Sequence, residues 1–112
     1  MPVTETFLAL PIGEMDRATT FYVAAFGATV SFASSHWTSL HVAGVRIGLF
    51  PRGEEASTRT GLHFAVDDLA AASDAVAHAG GRILTPVTEV APGVVVVDAA
   101  DTEGNAFTLR GP

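Results

Sequence analysis

The chain has 112 residues, 48% of them hydrophobic, no cysteine and a net charge of −6. A chain this size makes one domain and buries roughly two-thirds of its unfolded surface, enough for a core without metal or disulfide staples. Missing thiols exclude cysteine nucleophiles and thiolate metal sites, and six scattered arginines without a lysine make no nucleic-acid footprint.

Residues 6–12 read as a strand. Gly13 or Glu14 then opens a helix whose stripe is Met15, Ala18, Tyr22 and Ala25 and whose stop is Gly27. Residues 28–33, 36–42 and 45–50 read as strands, the last two joined by an Ala43-Gly44 turn. Pro51 to Thr60 is a polar connector. Residues 61–66 are a strand, and Asp67 or Asp68 caps a second helix with the stripe Leu69, Ala72, Val76 and Ala79. Gly80-Gly81 stops that helix; residues 82–84 are a short strand and Pro86 to Gly93 a loop. Val94–Val97 is a β run too apolar to show alternation, Asp101–Asn105 is a turn, and 106–110 is the last strand.

The order is βαβββ, twice. Phe7–Ala18 overlies Gly61–Ala72 at a constant offset of 54 residues, and the register carries on through Gly27 over Gly81. The predicted architecture is α+β: one domain over 1–112, with module 1 at about 5–51 and module 2 at about 60–110. Together they form a curved mixed sheet around a cleft. A single helix per four-stranded sheet covers one face and leaves the other to line that cleft.

Strand parity sorts the side chains. Leu8, Leu10 and Ile12 meet the first helix, so Phe7 and Ala9 face the cleft; Leu62 and Phe64 meet the second, so Gly61, His63 and Ala65 face the cleft. By the same argument Trp37, Ser39 and His41, then Arg46, Gly48 and Phe50, and finally Thr108 and Arg110 line it. The expected ligand-binding set is Phe7, Trp37, Ser39, His41, Phe50, His63, Thr108 and Arg110: a few polar groups on an apolar wall, as small-molecule pockets are built. Trp37 and Phe50 can stack on a flat ligand or pack in a dimer interface. Arg46 and Arg110 are expected on a solvated rim. His63 is the candidate general base. With His41 it could hold a relocated metal, but the pair has no cleft-facing carboxylate beside it, short of a usual ligand set.

Three segments resemble the vicinal oxygen chelate superfamily, the glyoxalase, bleomycin-resistance and ring-cleaving dioxygenase group. They are Pro11–Tyr22 with Phe26-Gly27, then Val66–Leu69 with Ala79–Gly81 and Pro86, then Asp101–Asn105 with threonine where the family's turn has proline. The resemblance implies a glyoxalase-like fold. It also implies metal ligands on the first and last strands of each module, which fall here on Phe7, Gly48, Gly61 and Thr108. None is a strong donor. No metal and no cofactor are therefore expected, which argues against glyoxalase I, extradiol dioxygenase, epimerase and fosfomycin-transferase activities.

Similarity to bleomycin-resistance members implies a homodimer that binds a small molecule, metabolite or antibiotic, without transforming it; the aromatic lining suits an aromatic ligand and the acidic surface a cationic one. The alternative is an enzyme of the same superfamily (isomerase, cyclase, lyase or dioxygenase-like) using His63 or His41. A third reading is an interaction module whose cleft only closes a dimer. No apolar run is long enough for a membrane span and no signal peptide is visible, so a cytoplasmic location is expected.

Overall fold

A computed structural model describes residues 1–52 and 58–112. Most of the polar part of the expected connector, including Glu54 and Glu55, lies outside the described residues. Module 1 comprises β1 (Leu8–Ile12), α1 (Met15–Phe26), β2 (Thr29–Ala33), β3 (Thr38–Val42) and β4 (Val45–Pro51). Module 2 comprises β5 (Thr58–Ala65), α2 (Leu69–His78), β6 (Arg82–Ile83), β7 (Thr88–Ala91), β8 (Val94–Ala100) and β9 (Asn105–Arg110).

Side chains that meet free amides start both helices. Glu14 accepts from the Arg17 amide at 2.6 Å and Asp68 from the Ala71 amide at 3.0 Å, each filling one donor orphaned at a helix start. Gly27 ends α1 in the left-handed region at φ 65°, where a Cβ is costly. At the β3–β4 turn both Ala43 (φ 49°) and Gly44 (φ 81°) are left-handed. That is the signature of the turn whose twist matches a hairpin, and here alanine adopts it.

The strands form two sheets with orders β1-β4-β3-β2 and β5-β9-β8-β6, with β7 also on β8. β1–β4 and β5–β9 are parallel and the remaining pairs antiparallel. Among the described residues no strand pair joins the sheets, so β1 and β5 are both edges.

Several boundaries differ from the sequence reading: β1 begins at Leu8 instead of residue 6, and β5 begins at Thr58, inside the expected connector. The expected loop at Pro86–Gly93 contains β7, whose residues are all exposed. It is an edge strand turned back by Pro92-Gly93 (φ 75° at Gly93), and proline followed by left-handed glycine reads as loop unless the pairing is seen. β8 continues past Val97 to Ala100. β3 begins at Thr38, leaving Trp37 just outside it.

One apolar core serves both modules. It takes Leu10, Ile12, Phe21 and Tyr22 from one side and Leu69, Val76, Val97 and Leu109 from the other. Half-buried against that core, Phe26 stacks on Phe64, centroids 4.1 Å apart, and the buried Phe107 meets both edge-on. A buried polar joint lies beside it. Glu103 accepts from the Gly13 and Glu14 amides, both at 2.9 Å, and pairs with Arg17 at 2.7 Å. Asp101 accepts from the Tyr22 hydroxyl at 2.6 Å, and Asn105 donates to the Pro11 carbonyl at 2.8 Å.

Burial would raise the Glu103 carboxyl, but hydrogen bonds from Arg17, Thr102 and the Glu14 and Gly13 amides outweigh it and hold the group at about 2. Burial, then the Asp101 charge, push the Tyr22 hydroxyl well above its ordinary range. Glu103→Gln keeps the shape and removes the charge, so it should cost about 2 kcal/mol at pH 7 in urea unfolding. Because the folded carboxyl titrates below the ordinary value of 4.5, its contribution is full above that pH and fades as pH falls toward 2. The difference between wild type and variant should therefore be smaller at pH 3 than at pH 7; an equal difference at both would detach Glu103 from acid stability.

Candidate functional site

Register puts the sequence-predicted residues on the sheet faces opposite the helices. In module 1, Ser39 pairs with Gly48 and His41 with Arg46, so all four share a face. Trp37 lies outside the strand, yet its indole folds back over that face. A Cβ on Gly48 would run into Trp37 Cζ2 and Cη2. Only a residue without a side chain allows the ring to lie there. Trp37 Nε1 donates to Ser39 Oγ at 2.8 Å, and the Phe7 ring meets the indole edge-on at 6.1 Å. The Arg46 guanidinium sits 3.9 Å above the Phe7 ring centroid, a cation–π contact.

Four of the expected ligand-binding residues are therefore gathered or adjacent here: Phe7, Trp37, Ser39 and, through register, His41. His41 Nε2 lies 3.0 Å from Ser31 Oγ. Phe50 is half-buried farther along β4, paired with Pro11, and makes no ring contact among the described residues. Phe32, which the sequence reading did not single out, pairs with Ser39 across a bulge and is 56% exposed. The bulge shifts its parity, which a sequence pattern does not announce.

Module 2 has a different face. His63, Thr108 and Asp98 form one row across β5, β9 and β8: His63 pairs with Thr108, and Thr108 with Asp98. The Thr108 hydroxyl donates to Asp98 Oδ1 at 2.8 Å, and Arg59 Nη2 reaches Asp98 Oδ2 at 3.4 Å. These residues and Gly61 line a cavity of about 310 Å³. His63 Nδ1 lies 3.0 Å from the Gly61 carbonyl. A carbonyl only accepts, so Nδ1 is the donor in this hydrogen bond, which leaves Nε2 as the nitrogen open to a substrate. His41 belongs to the module 1 face, apart from this row.

Two expectations are corrected. The cleft does carry a carboxylate: Asp98 was hidden because the apolar run before it showed no alternation, and pairing with Thr108 settles its side. Arg46 is not a solvated rim residue; its side chain is only 26% exposed. Arg110 is exposed, at the end of β9. A second cavity of about 330 Å³, apolar apart from His63, lies between the β3–β4 turn and β5.

The four positions that the resemblance assigns to metal ligands do not form a donor set. Phe7 is a ring under Arg46, Gly48 lies beneath the indole, Gly61 has no side chain, and the Thr108 hydroxyl is given to Asp98. Among the described residues no three His, Asp or Glu side chains cluster as a metal site. His63 and Asp98 supply two candidate donors in one row, fewer than a divalent ion takes from protein.

The sequence signature of the Glyoxalase/Bleomycin resistance protein/Dioxygenase superfamily matches residues 6–109. The chain belongs to that superfamily. Among solved structures it is similar to the E126Q mutant of the fosfomycin resistance protein FosX from Listeria monocytogenes, complexed with Mn(II) and 1S,2S-dihydroxypropylphosphonic acid. That match has a TM-score of 0.82 and 18% identity, over 98% of this chain and 90% of that one. It is also similar to a glyoxalase-related enzyme from Fulvimarina pelagi (TM-score 0.80, 18% identity, 98% and 89% covered). A superfamily enzyme from Burkholderia phytofirmans PsJN matches with TM-score 0.81 and 18% identity, over 94% and 95%. Such identities speak to the fold. No curated protein matches the chain in sequence.

Gly48→Ala tests the packing of module 1. The added methyl forces the indole off the sheet, so emission from the sole tryptophan should shift to the red. Stability should fall by about 1–3 kcal/mol, as for overpacking. Unchanged emission in the folded variant would contradict the stacked arrangement.

Proposed function

We propose that this superfamily member is a small-molecule binding protein that acts without a protein-bound metal, as a cytoplasmic homodimer. The observation that carries the reading is the substitution of an aromatic floor for a ligand set. Trp37 lies over Gly48 and Phe7 stands beside it, where metal-dependent relatives are expected to present donors. An indole with one face on the sheet and the other toward the cleft is a rigid stacking surface, costly in area and cheap in entropy.

Dimerisation is supported by incompleteness. The module 2 cavity is lined by module 2 residues, and the Trp37 cluster is built of module 1 residues. Both β1 and β5 leave an edge without a partner strand among the described residues, and free edges invite pairing with another chain. A second copy can bring one aromatic half against one polar half. No helix among the described residues is long and apolar enough to cross a membrane. As for the ligand, Arg46, Arg59 and Arg110 stand on the cleft faces against two carboxylates, Asp98 on β8 and Glu5 from the segment before β1. That balance favours an anionic group over the cationic ligand that the overall charge of −6 suggested.

One observation favours the enzymatic reading: His63 is bonded through Nδ1, which leaves Nε2 open beside the Thr108–Asp98 pair. In that reading His63 takes a proton from substrate, and Asp98 with Thr108 orients it.

Native mass spectrometry and elemental analysis of protein purified without chelator or affinity metal should show a dimer with no stoichiometric transition metal. A molecule retained by the protein should leave chemically unchanged after long incubation. Stoichiometric metal, or conversion that protein-free controls lack and His63→Gln abolishes at unchanged affinity, would replace the binder by the enzyme.

A further inference from the structure

The Arg46 side chain is caught in an arrangement that a surface arginine does not need. It is three-quarters covered, its guanidinium lies on the Phe7 ring, and Nη1 donates to Ser39 Oγ at 3.4 Å. The remaining edge, Nε and Nη2, meets the carboxylate of Glu5: Nη2 donates to Oε1 at 3.2 Å, and Nε lies 3.0 Å from Oε2. Two nitrogens facing two oxygens is the fork that guanidinium makes with a carboxylate. The fit is incomplete. The buried Nε faces Glu5 without the alignment of a hydrogen bond.

Glu5 belongs to the irregular segment before β1, in which residues 1–7 are all exposed, and its side chain is 54% exposed. It reaches Arg46 across 41 positions of sequence from outside the sheet. Strand register fixes Ser39 and Arg46, and Gly48 and Ser39 fix Trp37, while Phe7 stands at the end of the Glu5 segment, next to β1. A rigid, partly buried arginine beside two aromatic rings is thus closed by an exposed, imperfectly aligned carboxylate on a tail.

We infer that Arg46 is the centre of a carboxylate-binding subsite on module 1, held in the free protein by Glu5, and that it takes a small aromatic carboxylate. The proposal rests on the reading of this face as the ligand site and adds the ligand's chemical class. The incoming carboxylate displaces Glu5 from Nε and Nη2, free of the chain that keeps Glu5 misaligned. Its ring lies against Trp37 and Phe7. His41, paired in register with Arg46, and Ser39 add polar groups around the same point. The contacts the ligand gains are offset by the Glu5 pair it breaks, so Glu5 acts as a built-in competitor.

The test uses the full chain and emission from Trp37, its sole tryptophan. Benzoate and benzamide have the same shape and differ in charge. At constant ionic strength benzoate should give saturable quenching, with benzamide at least about tenfold weaker, since only the anion engages the fork. Glu5→Gln should bind benzoate roughly two- to fivefold more tightly, the worth of a partly exposed ion pair that no longer has to be broken. Arg46→Lys, checked for folding by circular dichroism, should bind it about tenfold more weakly.

Unchanged or weaker binding to Glu5→Gln would overturn the competitor role. Equal binding of benzoate and benzamide would overturn the carboxylate subsite and leave the aromatic ligand cleft standing. If neither probe moves Trp37 in any variant, the subsite falls, while the broader binding reading is decided by the retained molecule in mass spectrometry.

Discussion

The cleft depends on one buried polar joint between the modules. The two sheets share no strand pair among the described residues, so hydrogen-bonded ladders do not set their relative orientation. The Asp101–Asn105 turn does much of this. Its Glu103 carboxylate fills the amides of Gly13 and Glu14, its Asp101 takes the Tyr22 hydroxyl, and its Asn105 reaches the Pro11 carbonyl. These bonds run from the end of module 2 to the β1–α1 junction of module 1. Buried charged groups fix geometry because a half-satisfied network costs more than none. The Phe26–Phe64 stack supplies apolar contact across the same junction. Both features turn the helices toward a common core and the opposite sheet faces outward.

Much of this was legible in the residues. The 54-residue repeat laid one module over the other, apolar stripes and capping residues located both helices, the Ala43-Gly44 pair marked the β3–β4 turn, and parity sorted core from cleft along β1, β3, β4, β5 and β9. The turn at Asp101–Asn105 was visible as a motif, but nothing in it announced that Glu103 would be buried against a different module. What parity could not reach was the strand without alternation. Four consecutive valines conceal which side β8 shows, and Asp98 was lost with them. The same limit hid Phe32, because a bulge moves a side chain across the sheet without a sequence mark. Trp37 is the opposite case: its place was anticipated by extending β3 two residues too far, whereas the indole reaches the face from outside the strand and stays there because Gly48 leaves room.

Duplication has given the two halves different chemistry on one frame. In module 1 the row across β4 and β3 is Gly48 and Ser39, roofed by an indole. In module 2 the row across β5, β9 and β8 is His63, Thr108 and Asp98, open to a cavity. One face supplies surface and shape, the other hydrogen bonds. A ligand that uses both must bridge them.

Charge distribution sharpens that division. A chain with twelve acidic and six basic side chains has Arg46, Arg59 and Arg110 on its cleft faces, and four of the described carboxylates elsewhere are committed to structure. Glu14 and Asp68 cap helices, while Asp101 and Glu103 are locked in the joint. The surplus of negative charge therefore surrounds the cleft more than it fills it. An exterior of that sign repels anions at long range, over a Debye length of roughly 8–10 Å at physiological salt. Selectivity inside must then come from close, directional contacts. A half-buried guanidinium held flat on a ring provides them, whereas a mobile surface lysine does not. The absence of lysine from this chain and the placing of half its arginines on the cleft faces point to the same requirement: recognition by fixed geometry at short range, with little help from the field of the whole molecule.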